Sequence, residues 1–276
     1  MKFEKWHGCG NDFVLIDALD KDSDDFSPVA AKLCDRHYGV GADGVLVLSK
    51  SAEADFRMRI FNADGSEAEM CGNGIRCVAR YAYDAGRTTK KEFSVMTGAG
   101  IMVPRLITAG DRVEAVEVDM GEPVLAAADV PAVGFPGAEV INSPLKTASG
   151  TFYVTCVSMG NPHCVIFVDD AENFPVAEYG SLLEKDAHFP RRTNVEFVEV
   201  VDDKHLRMRV WERGAAITLA CGTGSCASLV AAALNQKTGR EAELKLDGGV
   251  LSVRWGADNR VYMTGAAERV FVGECQ

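Results

Sequence analysis

Short runs of β-branched and aromatic residues, bounded by turn residues, dominate the hydrophobic pattern of this chain. Such runs are typical of strands, because these side chains pack well on a pleated surface. Helical periodicity is less frequent and is clearest where Ile75, Val78, Ala79 and Ala82 fall at i, i+3, i+4 and i+7. The pattern predicts strands at 13–16, 45–48, 113–118, 164–168 and 195–201, and helices at 29–36, 75–85 and 226–235.

The second half of the chain repeats the first at a constant spacing. Cys71 stands in a Cys-Gly-x-Gly segment that opens an apolar helical run, and Cys221 stands in another such segment 150 residues later. The same spacing aligns 10–14 with 160–164, 44–48 with 194–198, 57–62 with 207–212, and 97–99 with 247–249. We expect this register to hold without a gap, so the chain contains two copies of one α/β unit.

Two segments rich in turn residues, 119–123 and 263–265, are the candidate domain boundaries. They predict a first domain of residues 1–120 and 265–276 and a second domain of residues 121–264. The first domain is discontinuous in this assignment, because the last apolar run, 270–272, is expected to return to it as a strand.

Composition and charge indicate a folded protein that does not bind nucleic acid. The 276 residues are 47% hydrophobic and 25% charged, as in ordinary globular proteins. The formal net charge is −11, and no long basic cluster offers a footprint for a phosphate backbone. The charged N-terminus lacks the apolar segment of a signal peptide, and no apolar run reaches transmembrane length. We therefore expect a cytoplasmic protein with no nucleic-acid or membrane partner.

The cysteine pattern favours reduced thiols. There are nine cysteines, an odd number that cannot all pair within one chain, and no Cys-x-x-Cys segment suggests a structural metal site. We expect no metal, and we expect most of these thiols to be small buried hydrophobic groups.

The two Cys-Gly-x-Gly segments are the exception, because each places a thiol where a helix begins. Unpaired N–H groups and the helix dipole favour a thiolate there and lower its pKa from about 8.5. The glycines let backbone donors approach a carboxylate closely. Two such thiols on opposite faces of a carbon could remove a proton from one side and return one from the other. No pyridoxal-lysine or metal-ligand pattern stands out, so we expect no cofactor; the alternative is that both cysteines only pack beside capping glycines.

Seven short motifs together resemble those of the diaminopimelate epimerases over essentially the whole chain. They lie at 7–13, 61–66, 70–74, 160–163, 192–195, 212–214 and 220–224. The resemblance implies a cofactor-independent isomerase that interconverts L,L- and meso-diaminopimelate in the biosynthesis of lysine and peptidoglycan precursors. It also implies an α+β fold with two pseudo-symmetric domains, each a mostly antiparallel β-structure wrapped around a central helix, and a homodimer.

The resemblance also assigns roles to individual residues. Cys71 and Cys221 match the two acid/base thiols, and His163 and Glu212 match residues that tune the pKa values of those thiols. The positions that match backbone or side-chain contacts to the substrate are Asn11, Asn62, Gly72, Asn73, Asn161, Asn194, Glu212, Arg213, Gly222 and Thr223.

Simpler interpretations exist for several of these residues taken one at a time. An Asn in a turn more often adopts a turn conformation than binds a ligand, and a Glu-Arg pair beside a strand is more often solvated. A lone His such as His163 is more often structural. Two other functions stay open: a proline or hydroxyproline racemase of the same fold, and a thiol hydrolase that uses Cys71 with His163. The racemases tend to have His where this chain has Asn73, and they lack the motif at 212–214.

Overall fold

The computed structural model describes residues 1–20, 26–147 and 150–275. Within these ranges the helices are α1 (Ser27–Cys34), α2 (Gly72–Asp84), α3 (Val176–Leu183) and α4 (Gly222–Leu234). The strands are β1 (Lys2–Gly8), β2 (Asn11–Asp17), β3 (Gly44–Ser49), β4 (Phe56–Asn62), β5 (Glu67–Ala68), β6 (Val95–Thr97), β7 (Gly100–Met102), β8 (Arg105–Ala109), β9 (Arg112–Asp119), β10 (Ser143–Thr147), β11 (Gly150–Ser158), β12 (Pro162–Phe167), β13 (Asn194–Val200), β14 (His205–Glu212), β15 (Ala216–Ile217), β16 (Glu241–Leu246), β17 (Gly249–Trp255), β18 (Val261–Gly265) and β19 (Glu268–Glu274). The chain divides into two compact units, Met1–Asp119 with Thr264–Gln276, and Met120–Met263.

The first unit is built on an eight-stranded sheet with the strand order β19-β1-β2-β3-β4-β6-β7, and β5 pairs with β4. Only the pairs β2–β3 and β4–β6 are parallel among its described strand pairs. Helix α2 contacts β1 to β4, while α1 contacts β3 and β4. All six residues of β3 are buried, as expected for a strand covered on both faces.

The second unit repeats this arrangement in the order β10-β11-β12-β13-β14-β16-β17, with β15 on β14. Again two pairs are parallel, β12–β13 and β14–β16, and the other described pairs among these strands are antiparallel. Helix α4 contacts β11 to β14, β16 and β17, and α3 contacts β13 to β15. The predicted α+β fold, with mostly antiparallel strands around a central helix, is confirmed.

Sequence periodicity placed the central helices correctly but began both of them too late. Ile75, Val78, Ala79 and Ala82 are all fully buried in α2, as their spacing predicted. However, α2 and α4 begin directly after Cys71 and Cys221, because the glycines of both segments are already helical. The predicted helix 29–36 begins and ends two residues earlier, as α1. Helix α3 was not predicted.

The repeat holds at its centre and slips at both ends. The parallel pairs β2–β3 and β12–β13 have the same register, since Phe13 faces Gly44 and His163 faces Asn194. The expectation of a gap-free register is nevertheless wrong. The turn between β1 and β2 has two residues, and the turn between β11 and β12 has three. At the other end of the repeat, Thr97 pairs with Gly100 and Leu246 pairs with Gly249. Thr97 and Leu246 are therefore counterparts at a spacing of 149.

Candidate active site

Both cysteines of the repeated segments occupy the residue that caps a central helix. Cys71 has φ −142° and ψ 120°, and Cys221 has φ −127° and ψ 110°. Each Sγ accepts a hydrogen bond of 3.4 Å from the backbone N–H three residues later, at Gly74 or Gly224. A thiol thus replaces the Ser, Thr, Asp or Asn that usually accepts this bond. The sequence predicted this position.

The last glycine of each segment is required by close packing. A Cβ at Gly74 would lie 2.9 Å from Cδ2 of Leu46 on β3. A Cβ at Gly224 would lie 2.7 Å from Oε1 of Glu196 on β13 and 3.2 Å from Sγ of Cys221. The last glycine of each segment thus lies where its central helix packs closely on the sheet.

We call Asn11, Cys71, Gly72 and Asn73 the first half-site. Oδ1 of Asn11 lies 3.6 Å from Sγ of Cys71 and accepts a hydrogen bond of 3.1 Å from Nδ2 of Asn73. The thiol of Cys71 therefore faces an acceptor oxygen on one side and the N–H of Gly74 on the other. The structure brings these predicted site residues together within the first unit.

Two charged residues outside the predicted site fix the orientation of both amides. Nδ2 of Asn11 donates to a carboxylate oxygen of Asp43 at 2.7 Å, and a carboxylate at Asp43 can only accept. The guanidinium of Arg76, which is fully buried, donates to Oδ1 of Asn73 at 2.9 Å and can only donate. Oδ1 of Asn11 must therefore face Asn73 and Cys71.

Asn62 is the predicted residue that does not join this cluster. It lies at the exposed end of β4, and its Nδ2 donates to Oγ of Ser66 at 3.0 Å. In the described ranges no hydrogen bond connects it with Asn11 or Cys71.

We call Asn161, His163, Asn194, Glu212, Arg213, Cys221, Gly222 and Thr223 the second half-site. Nδ1 of His163 lies 2.7 Å from Oε1 of Glu196, and Nε2 lies 2.9 Å from Oδ1 of Asn161. Both His163 and Glu196 are fully buried. Oγ1 of Thr223 lies 3.6 Å from Sγ of Cys221.

Asn194, at the start of β13, holds the turn that follows β14 in place. Oδ1 of Asn194 accepts from the backbone N–H of Arg213 at 2.9 Å, while its Nδ2 donates to the carbonyl of Pro162 at 2.9 Å. The side chain of Arg213 is exposed and donates to the carbonyl of Arg191 at 3.1 Å. Asn194 is thus buried as a structural link, and the Arg213 side chain stays accessible.

The electrostatics of the second half-site differ from the sequence prediction. Burial raises the pKa of Cys221 well above its usual range, and the carboxylates of Glu212 and Glu196 raise it further. Hydrogen bonds from Thr223 and Gly224 act in the opposite direction but are weaker. The prediction of a thiol pKa lowered by the helix N-terminus is therefore wrong for Cys221, because burial and two carboxylates outweigh the helix end.

The carboxyl group of Glu212 also has a raised pKa. Burial raises the pKa of its carboxyl group, although the hydroxyl of Thr218, which donates to Oε1, and the nearby His163 both favour the charged form. Glu212 thus disfavours a thiolate at Cys221, whereas a hydrogen bond from the thiol of Cys221 favours the carboxylate of Glu212.

The sequence did not predict Glu196, Asp43 or Arg76 as parts of these clusters. A signal existed for two of them: Glu196 interrupts an apolar strand, and Arg76 lies among the buried residues of α2. In the same described ranges, no group of three or more His, Cys, Asp or Glu side chains could hold a metal ion. Nor is any of the described helices long and apolar enough to cross a membrane.

Comparison with known proteins shows similarity to one family along nearly the whole chain. The sequence profile of the family described as diaminopimelate epimerase matches residues 3–126 and 155–270. The diaminopimelate epimerase of Pelotomaculum thermopropionicum is 51% identical over 99% of this chain and 98% of its own length. That of Agathobacter rectalis is 50% identical over 99% of each chain.

Solved structures show the same fold at low sequence identity. A phenazine biosynthesis protein of the PhzF family from Bacillus anthracis superposes with a TM-score of 0.72 at 18% identity, covering 100% of this chain and 99% of its own. A hydroxyproline epimerase from Agrobacterium vitis, with bound trans-4-hydroxy-L-proline, superposes with a TM-score of 0.70 at 16% identity, covering 99% and 90%. The profile match and the full-length relatives go further than the fold: this chain belongs to the diaminopimelate epimerase family.

Proposed function

We propose that this protein is an isomerase that interconverts L,L- and meso-diaminopimelate without a cofactor. The observation that carries the proposal is the pair of helix-capping thiols at equivalent positions of two similar units, in a chain about half of whose residues are identical to those of diaminopimelate epimerases. Each unit would be one half of the enzyme, with domains at 1–120 plus 265–276 and at 121–264.

The chemistry is a proton transfer between two opposed sulfur atoms. One of Cys71 and Cys221 takes the α-proton as a thiolate, the electron pair stays on the α-carbon and its carboxylate, and the other cysteine delivers its thiol proton to the opposite face. The configuration inverts, and the two cysteines exchange protonation states. The raised pKa of Cys221 supports it as the proton donor when the unliganded enzyme first binds substrate.

The backbone amides at the two helix starts would hold the carboxylate at the reacting carbon. Gly72 and Asn73 supply donors in the first half-site, and Gly222 and Thr223 supply them in the second. Helix N-termini carry unpaired N–H groups and partial positive charge, so they stabilise a carboxylate that gains further negative charge in the carbanion. His163 and Glu212 would tune the thiol beside them.

The remaining polar residues would distinguish diaminopimelate from smaller amino acids. Diaminopimelate carries a second amino acid group at its far end, which needs both donors and acceptors; proline does not. Exposed Arg213 and Asn62, with Asn11, Asn161 and Glu212, supply that mixture, and Asn194 would act through the backbone of Arg213 that it holds. The hydroxyproline epimerase likeness, at 16% identity, supports the fold alone, so the racemase stays the second candidate.

The setting we infer is the cytoplasm, with a homodimer as the active form and no nucleic-acid or membrane partner. All nine cysteines lie in the described ranges and none forms a disulfide, as expected in a reducing compartment. The edge strand β19 exposes Val270, Phe271 and Val272, which a second copy could cover.

Incubation with L,L-diaminopimelate in D2O tests the function directly. We expect deuterium at one α-carbon and a changing diastereomer ratio, without added metal or pyridoxal phosphate. Proline and hydroxyproline run in parallel should remain unlabelled. Exchange into proline but not diaminopimelate would favour the racemase instead.

Single replacements test the two-thiol mechanism. Cys71→Ala and Cys221→Ala should each abolish inversion, because each removes one of the two proton carriers. A thiol hydrolase that uses Cys71 with His163 would keep its activity in Cys221→Ala and would show an acyl-enzyme burst. Full turnover in either alanine variant would refute the two-thiol account.

A further inference from the structure

Glu196 is the buried charged group of the second half-site that the proposed reaction does not use. It lies on β13 with its side chain fully buried. Oε1 lies 2.7 Å from Nδ1 of His163, while Oε2 is buried and has no hydrogen-bond partner among the described residues. Buried polar atoms are nearly always paired, and an unpaired carboxylate oxygen is destabilising. Stability alone does not explain this residue.

The first unit shows that the fold does not need a charge at this position. In the repeat, Glu196 corresponds to Leu46 and His163 corresponds to Phe13, and both apolar residues are buried. Leu46 also packs under the last glycine of its cysteine segment, as Glu196 does under Gly224. Two copies of one unit therefore pack equally well around an apolar pair and around a titratable pair.

Glu196 determines which nitrogen of His163 carries a proton. A carboxylate can only accept, so the hydrogen bond to Oε1 requires the ring proton on Nδ1. Nε2 lies 2.9 Å from Oδ1 of Asn161, a residue of the second half-site. The contact with Glu196 therefore turns the Nε2 side of the ring toward Asn161.

We propose that Glu196 is a positioning residue for the second half-site, which holds Nδ1 of His163 protonated and so fixes the orientation of the ring, with Nε2 facing Asn161. The proposal rests on the proposed function, because Asn161, which the His163 ring contacts, is one of the residues proposed to bind the substrate. The titratable groups around Glu196 are His163 and Cys164 on β12, Glu212 on β14 and Cys221 at the start of α4.

Three variants separate the hydrogen bond from the charge. Glu196→Leu removes both and installs the residue of the first unit. Glu196→Gln removes the charge but keeps an oxygen that can accept from Nδ1. The double variant His163→Phe with Glu196→Leu copies the apolar pair Phe13 and Leu46, and it shows whether the unit folds without the titratable pair. Glu241→Gln, at an exposed position of β16, is the control for loss of a carboxylate.

The first readout is ¹⁵N NMR of protein labelled at histidine, with the His163 signals assigned from their loss in His163→Phe. Wild type should show a protonated Nδ1 at all pH values where the protein is folded. Glu196→Gln should keep that state, and Glu196→Leu should shift the ring toward the form protonated at Nε2. Wild type with an unprotonated Nδ1, or Glu196→Leu with no change, would overturn the proposal.

The second readout is the kinetics of epimerisation. Glu196→Leu should lower kcat by about tenfold to a hundredfold, the usual effect of losing the partner that orients a functional histidine, with KM unchanged because Glu196 does not face the substrate. Glu196→Gln should recover part of the loss. The double variant should unfold at or above the wild-type temperature while staying inactive, since it replaces a buried charged pair by apolar residues. Wild-type kcat in Glu196→Leu would count against the proposal.

The two proposals can fail separately. If wild type does not label diaminopimelate in D2O but the NMR shows Nδ1 held by Glu196, the proposed function is wrong. If wild type is active and Glu196→Leu changes neither the His163 ring nor kcat, the function stands and the role of Glu196 is refuted.

Discussion

At the scale of single residues, the two half-sites differ in charge more than in shape. Both cysteines accept the same 3.4 Å hydrogen bond, yet Cys221 has Glu212 and Glu196 nearby, whereas Cys71 faces the amide of Asn11. A positively charged ammonium group on the substrate would offset the two carboxylates and make a thiolate at Cys221 accessible. Bound substrate would therefore assist the direction of the reaction in which Cys221 acts as the base.

The glycine that faces Glu196 gives a residue-scale prediction. We expect Gly224→Ala to weaken the Glu196–His163 contact and to lower the free energy of unfolding by about 1–3 kcal/mol, the usual cost of inserting a methyl group into a packed site. The added Cβ would lie 2.7 Å from Oε1 of Glu196, which has no solvent to move into. Urea denaturation and kcat measure both effects.

Two glycines serve as comparisons for that variant. Gly239→Ala meets no atom within 4 Å and should be close to neutral. Gly74→Ala meets the end of the Leu46 side chain at 2.9 Å, so its cost depends on how far that side chain can turn. Equal stability of the alanine variants at 224 and 239 would contradict the packing argument.

The raised pKa of Cys221 predicts a pH dependence. Its thiol should react slowly with iodoacetamide at neutral pH and faster as the pH rises. Glu212→Gln should move this rise to lower pH, because a carboxylate that opposes the thiolate is gone. Mass spectrometry of the Cys221 peptide measures the rate, and Glu178→Gln on α3, an exposed site, is the control.

The same pKa shift has a defined effect on stability. A thiol that ionises at higher pH in the folded protein favours folding below its unfolded pKa, about 8.5, and loses that contribution as the pH rises toward the folded value. The free energy of unfolding of wild type minus that of Cys221→Ser should therefore fall above about pH 8.5. A difference that grows with pH would contradict the direction of the shift.

At the scale of elements, apolar residues at helical spacing made α2 and α4 predictable from the sequence. Helix α3 was missed because it lacks such a signal. Helix α3 is short, begins after Pro175 and contains a glycine. Gly180 is there because a Cβ would lie 2.4 Å from Cβ of Trp211 on β14. That reason lies in a strand some thirty residues away along the chain, so a local pattern cannot show it.

The helix-capping role of the cysteines gives an element-scale prediction. Cys71→Ser and Cys221→Ser should retain the stability of α2 and α4, because a serine oxygen accepts the same bond from Gly74 or Gly224. The matching alanine variants should lose about 0.5–2 kcal/mol each in urea denaturation. All four should be inactive in the D2O assay. A serine variant as unstable as its alanine counterpart would show that the cap contributes little.

At the scale of the whole molecule, the repeat made most of the fold predictable, and its irregular ends mark what was not. Residues from β2 through α2 align with β12 through α4 at one spacing, which is why the apolar pattern and both cysteine segments were found. The turn before β12 is one residue longer than the turn before β2, and the shorter spacing at β16 arises in the connection between α4 and β16. Both differences lie in connecting segments, where changes in length are tolerated. The role of Glu196 was not predicted because the residues it contacts, such as His163 on β12, are distant from it along the chain.

The last strand gives a prediction about the first unit as a whole. β19 pairs antiparallel with β1, and the segment before it supplies the carbonyls of Ala266 and Ala267 that accept from Arg76 and Arg80 on α2. A chain that ends at Gly265 loses the strand and both acceptors, leaving the buried guanidinium of Arg76 with fewer partners. We expect hydrogen exchange to show lost amide protection in β1, β2 and α2.

The matched control is a chain that ends at Gly273, which keeps both carbonyls and nearly all of β19. It should retain protection throughout the first unit. In both truncated chains β13, β16 and α4 should stay protected, since their core lies within the second unit. Peptide-resolved hydrogen exchange reports the protection of each unit separately. Loss of amide protection in both units would contradict this prediction, because it would show that the two units unfold cooperatively.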